Sequence, residues 1–236
     1  MPKFYTYAVK SFVLTSVVTL LSFHLFSQNM TEYKEFMDAA VEYSLLFRGV
    51  YPLRHGSLLT KDGSTFFAFS PEYEKGSVRF CGKMYTGIEL NLNAFTDELY
   101  AKDPQGSPVV VNKNFVDSFS LGASSFVYFR QNDVQLSKGY YQVLYTGKHT
   151  LYKKVIKKYY QKPTNFGVLQ KGFVSAEFFY IRKNDQWYRF NTRADLMRLF
   201  GEHKKRIDHL CKSEKLKFRR DREHYLVRIL TYMDQL

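Results

Sequence analysis

Apolar and polar positions alternate through the middle of this chain. From Met84 to Asn93, Ile88, Leu90 and Leu92 alternate with Glu89, Asn91 and Asn93, the period of a strand with one buried face. Ser77 to Cys81 precedes it across Gly82-Lys83, and further short runs follow at Glu98–Ala101, Val109–Val111, Phe115–Leu121, Ser125–Arg130, Glu177–Lys183 and Gln186–Thr192. Asn184-Asp185 is a good tight-turn pair between the last two. Strands this short and this close predict an antiparallel meander from 77 to 192, either an open sheet or a partly closed barrel, since parallel strands need long crossovers.

Gly139 to Tyr160 has two readings. Leu151, Tyr152, Val155, Ile156 and Tyr159 fall at helical spacing, but the close relation to Tyr141, Val143 and Tyr145 across Thr146-Gly147-Lys148 predicts a β-hairpin. On a strand, Lys153 and Lys157 share one face and Lys154 and Lys158 the other, a pattern expected of a protected edge strand. Helical spacing returns at both ends of the chain. Phe36, Met37, Ala40, Val41 and Leu45 predict an N-terminal helix. After Thr192, which with Asp195 resembles a capping box, the stripes Leu196-Leu199-Phe200, Ile207-Leu210-Cys211 and Leu226-Ile229-Leu230-Met233 predict short helices packed on the sheet. The fold class expected is α+β.

The first residues change the picture of the domain. Lys3 and Lys10 precede an apolar run of about 16 residues, shorter than the roughly 20 of a spanning helix, and an abruptly polar segment follows. This is the layout of a signal peptide over residues 1–27, cut between Ser27 and Gln28, which leaves a single α+β domain over 28–236 with no transmembrane helix. Residues 77–192 would form the sheet and 193–236 the helical C-terminus.

Charge adds a direction. The chain carries +13 overall, but Asn29–Ser137 holds ten Lys and Arg against thirteen Asp and Glu, whereas Lys138–Leu236 holds twenty-three against nine. A net of −3 against +14 favours acidic partners for the second half. Candidate polyanion-binding residues are Lys153, Lys154, Lys157 and Lys158 on the hairpin, with Lys217, Arg219, Arg220 and Arg222 before the last helix. Catalytic chemistry has no comparable signal. The histidines outside the leader, His55, His149, His203, His209 and His224, form no metal-ligand spacing, and Gly122-Ala-Ser-Ser is no nucleophile elbow. No metal site, cofactor or catalytic residue is assigned.

Four stretches together carry a resemblance: Gly76–Leu90, Gly139–Gly147, Glu177–Phe190, and Leu216-Lys-Phe-Arg-Arg-Asp-Arg-Glu223. With them the chain, from about Tyr43 to Leu236, resembles a family of exported, functionally uncharacterised proteins from Bacteroidota. The resemblance implies a periplasmic or outer-membrane location and supports a strand at His149–Tyr160; it carries no activity and no site residues. Cys81 departs from its pattern.

The expected function is that of a non-enzymatic binding or structural protein of the envelope. Its basic half would contact an acidic glycolipid, an acidic polysaccharide or an acidic protein. Two alternatives stand beside this: a carrier of an apolar ligand in a curled aromatic sheet, and a hydrolase of envelope material. An exported location argues against nucleic acid as the partner.

Overall fold

The computed structural model describes residues 45–52, 63–131, 136–164 and 167–236. The leader and most of the N-terminal helix expected over Thr31–Phe47 lie outside the described residues; Leu45 and Leu46, the first described positions, are helical. Ten strands form one antiparallel sheet within the compact unit Phe47–Leu236. They are β1 Glu74–Phe80, β2 Lys83–Asn93, β3 Glu98–Lys102, β4 Pro108–Val110, β5 Val116–Leu121, β6 Ser124–Phe129, β7 Gly139–Tyr145, β8 Thr150–Pro163, β9 Leu169–Lys183 and β10 Gln186–Phe190. Three helices follow: α1 Arg193–Leu199, α2 Lys204–Ser213 and α3 Arg222–Asp234.

The strand order is β10-β9-β8-β7-β6-β5-β1-β2-β3-β4. It is two meanders, β1–β4 and β5–β10, joined where β1 pairs with β5 rather than one unbroken meander. The order is linear, so the described strands do not close a barrel by pairing with one another. The β2–β3 turn nevertheless folds back on the far meander: Lys157 N–H donates to the Ala94 carbonyl at 3.0 Å, and Asp97 binds Lys154.

The β9–β10 turn falls where the sequence puts it, whereas the β1–β2 turn comes one residue earlier than Gly82-Lys83, at Cys81-Gly82. Cys81 and Gly82 both adopt positive φ between β1 and β2, as do Asn184 and Asp185 between β9 and β10, the backbone a two-residue hairpin demands. Thr192 and Asp195 form the reciprocal capping box of α1.

Alternation sorts the far meander into two faces. Leu151, Phe179, Ile181 and Phe190 pack under Leu196, Phe200, Ile207, Leu210, Cys211, Tyr225, Leu226, Ile229, Leu230 and Met233, so all three helical stripes face the sheet. On the other face Tyr141, Tyr152 and Tyr180 gather with Leu136, Phe129 and Trp187. Asp234 staples the end of α3 to the β7–β8 turn, accepting from Tyr145 Oη at 2.9 Å, Lys148 N–H at 2.7 Å and His149 Nδ1 at 2.6 Å. Burial alone would raise the Asp234 carboxyl, but these bonds outweigh it and hold its pKa below the ordinary value. Cys81 is exposed and Cys211 buried, and they are not bonded to each other.

Candidate polyanion-binding surface

The edge-strand reading of the hairpin is corrected in part. β8 lies between β7 and β9 in the sheet order, but the β7 register reaches only Leu151–Lys153; beyond it β8 pairs, among the described strands, with β9 alone, and its other side is covered by the β2–β3 turn through the Lys157–Ala94 bond. Three of its four lysines accordingly leave the surface: Lys153, Lys154 and Lys157 are 6%, 5% and 2% exposed. A buried ammonium is tolerated only with partners, and each has them. Lys153 Nζ lies 2.6 Å from Glu223 Oε1 of α3 and 4.0 Å from Glu177. Lys154 Nζ lies 2.7 Å from Asp97 Oδ1 and 5.0 Å from the centre of the Tyr141 ring. Gly139 makes room for that pair, because a Cβ there would stand 2.2 Å from Lys154 Nζ. Burial lowers the Lys154 pKa against the opposing pull of Asp97. Lys157 Nζ donates to Ser175 Oγ at 2.7 Å under the ring of Phe69. Only Lys158 points to solvent.

The second set behaves differently. α2 buries Ile207, Leu210 and Cys211, which turns Lys204, Lys205, Arg206 and Lys212 outward. Its end is a Schellman closure around Lys215 in the left-handed region, with Leu216 N–H donating to the Cys211 carbonyl and Lys215 N–H to that of Lys212. Leu216 packs on the core, so the chain leaves the helix with Lys215 and Lys217 exposed. The turn that follows exposes Arg219 and Arg220 and ends at Asp221, which caps α3 through His224 N–H. Arg222 is half-buried, its guanidinium 5.4 Å and 5.0 Å from the ring centres of Phe179 and Phe218.

From Lys204 to Arg220 there are eight Lys and Arg against two acids. Both acids are engaged elsewhere, Asp208 with Arg193 and Glu214 with Arg228. None of the eight cations forms an ion pair among the described residues, so the segment presents a positive field to solvent. Between α2 and α3 lies a groove of about 420 Å³, to which Lys212, Lys217 and Arg193 contribute beside Cys211, Phe218 and Tyr225. The Tyr225 hydroxyl there accepts from Arg193 Nε at 3.0 Å and Cys211 Sγ at 3.4 Å, and burial pushes its pKa up to about 12.

Of the eight residues singled out from the sequence, Lys217, Arg219 and Arg220 stand together on this surface. Lys158 is exposed on the hairpin apart from them, Lys153, Lys154 and Lys157 are buried, and Arg222 is half-buried against aromatic rings. Lys204, Lys205, Arg206, Lys212 and Lys215 were missed. A local charge count over Lys204–Arg220 finds them without any structure. Among the described residues no group of His, Cys, Asp and Glu is placed to hold a metal ion, and no helix is long and apolar enough to cross a membrane. The chain matches no family model, no curated protein and no solved structure.

Proposed function

We propose that the protein is an exported envelope protein that docks on an acidic surface through the basic segment Lys204–Arg220. The observation that carries this reading is the arrangement of charge there: eight exposed cations, with the two acids of the segment bonded to Arg193 and Arg228. Unpaired cations on a rigid helix and two tight turns attract a polyanion without needing a shaped pocket. The partner is an acidic glycolipid, polysaccharide or protein whose charges are spread over a comparable length. The exported location rests on the basic, apolar and polar layout of the first residues.

The test replaces Lys217, Arg219 and Arg220 together by Gln and compares retention on an anionic resin and on anionic vesicles as salt rises. Attraction between exposed charges is screened over roughly 8 Å at physiological ionic strength, so the parent should elute progressively earlier with salt and the variant earlier than the parent at every salt. Equal retention of parent and variant, or a parent indifferent to salt, overturns the proposal.

A further inference from the structure

Lys157 is the odd member of the buried lysines. Lys153 and Lys154 each meet a carboxylate, whereas Lys157 makes no ion pair among the described residues. Its ammonium has one hydrogen bond, to Ser175 Oγ at 2.7 Å, and the Phe69 ring centre stands 3.0 Å away. The two residues face each other directly across the β8–β9 register, so rigid strands fix their separation. Ser175 is exposed while Lys157 is 2% exposed: a hydroxyl at the surface rests on an amine beneath it. Phe69 holds its position with φ of 61°, a left-handed conformation costly for an aromatic residue.

The surroundings are divided. Along the same face, Phe173 packs against Tyr159 and Phe95, with ring centres 5.6 Å and 5.3 Å apart. Phe69, Phe95 and Tyr159 are all exposed large hydrophobic residues. On the other side stands Glu177 on β9, whose charge acts on Lys157; it lies 4.0 Å from Lys153 of β8, which is bonded in turn to Glu223 of α3. An apolar shelf therefore adjoins the hydroxyl, and the charges lie beyond it.

We propose that Ser175 is a nucleophile with Lys157 as its general base, and that the pair takes the acyl group of carboxylic esters whose acyl part is small and apolar. The neutral amine accepts the hydroxyl proton as Oγ attacks the ester carbonyl. The bond to the alcohol then breaks, and the ammonium returns the proton to the departing alkoxide. Water, deprotonated by the same amine, adds to the acyl-serine carbonyl; breakage of its bond to Oγ, with the proton returned to Oγ, frees the acid and restores the pair. Nothing is oxidised and no reactant other than ester and water is consumed. The required neutral amine is accessible, because burial lowers the Lys157 pKa to about 8 despite the opposing pull of Glu177. A low-pKa lysine beside a serine is one of the recurrent ways of activating a hydroxyl.

The experiment incubates the purified full chain with p-nitrophenyl acetate and p-nitrophenyl butyrate, follows release of p-nitrophenol against pH, and maps the acyl adduct by mass spectrometry. The expected result is an adduct on Ser175 and a rate that rises to a plateau with its midpoint near the Lys157 pKa. Ser175→Ala should remove both adduct and rate. Lys157→Arg, which keeps a donor but supplies no base, should lower the rate by about 100-fold or more. An unmodified Ser175 in the parent, or Ser175→Ala turning over as fast as the parent, overturns the proposal; so does a rate that climbs with hydroxide without a plateau. Adduct mapping and the pH profile use the parent protein, so both remain decisive even if a buried Lys157 variant fails to fold.

Discussion

Lys153, Lys154 and Lys157 of β8 and the cations of Lys204–Arg220 are both dense positive clusters and opposite in fate. The three of β8 lie on a strand paired with β9, where Asp97 and Glu223, far off in sequence, and aromatic rings close over them. Those of α2 and the following turns sit on the outer side of a helix whose inner stripe is already spent on the core, and their local acids have gone to other arginines. Density of positive charge along a sequence therefore says little about a binding surface by itself. What decides is whether the element carrying the charge has a second face that must be covered.

The first way to break this contrast is to remove an acid from the buried set. Asp97→Ala leaves the Lys154 ammonium beneath the surface without its carboxylate, and the loss should be about 3 kcal/mol, at the low end for a buried pair because Asp97 is 29% exposed. Urea unfolding measures it; an unchanged midpoint would mean that Lys154 finds water instead. The outward display of the helical cations depends in turn on the layer beneath them. Leu230 is fully buried against the sheet, so Leu230→Ala should cost about 2–5 kcal/mol and loosen the basic surface with it.

The staple at Asp234 gives a smaller effect with a pH signature. Asp234→Asn should cost about 1–3 kcal/mol through the weakened bonds to His149, Tyr145 and Lys148. The Asp234 pKa is depressed in the fold, so the carboxylate's contribution is complete above the unfolded value of about 3.9 and is lost as pH falls through the lower folded value. Below about pH 4 the parent's urea midpoint should approach that of the variant; a gap that stays constant down to acid would assign the effect to packing. The smallest change in stability should come from the surface that matters most for docking. Replacing Lys217, Arg219 and Arg220 by Gln should move the unfolding free energy by no more than about 0.5 kcal/mol, and a larger loss would show that these side chains hold the fold together.

Local rules made most of the strands and the helical stripes legible. Ile88-Leu90-Leu92 and Leu226-Ile229-Leu230-Met233 announce their buried faces by spacing alone and are buried, but Asn91 and Asn93 on the face of β2 expected to meet water are buried as well. The first half of β9, Leu169–Ala176, went unread because Gly172 interrupts it; it is a strand because β8 lies beside it, residue for residue, from Lys158↔Val174 to Pro163↔Leu169. The inward lysines were illegible for a related reason. Their partners Asp97 and Glu223 lie 57 and 70 positions away, and nothing near Lys153 or Lys154 names them. Arg222 reads as a surface charge until Phe179 and Phe218 are placed beside it.

The seam between the two meanders bears on how the sheet assembles. Every strand pairing along the order joins neighbours in sequence except β1 with β5, where Ser77 and Ser120 exchange a hydroxyl bond across 43 positions. At that seam Gly76 lets the strands close, since a Cβ there would stand 2.1 Å from the Ser120 carbonyl oxygen. The hairpins on either side close short loops at little entropic cost, while the seam must wait for a long one. The late event in folding is then the zipping of β1 to β5. Gly76→Ala should accordingly hasten unfolding and leave the refolding rate nearly unchanged; slowed refolding would place the seam in the nucleus.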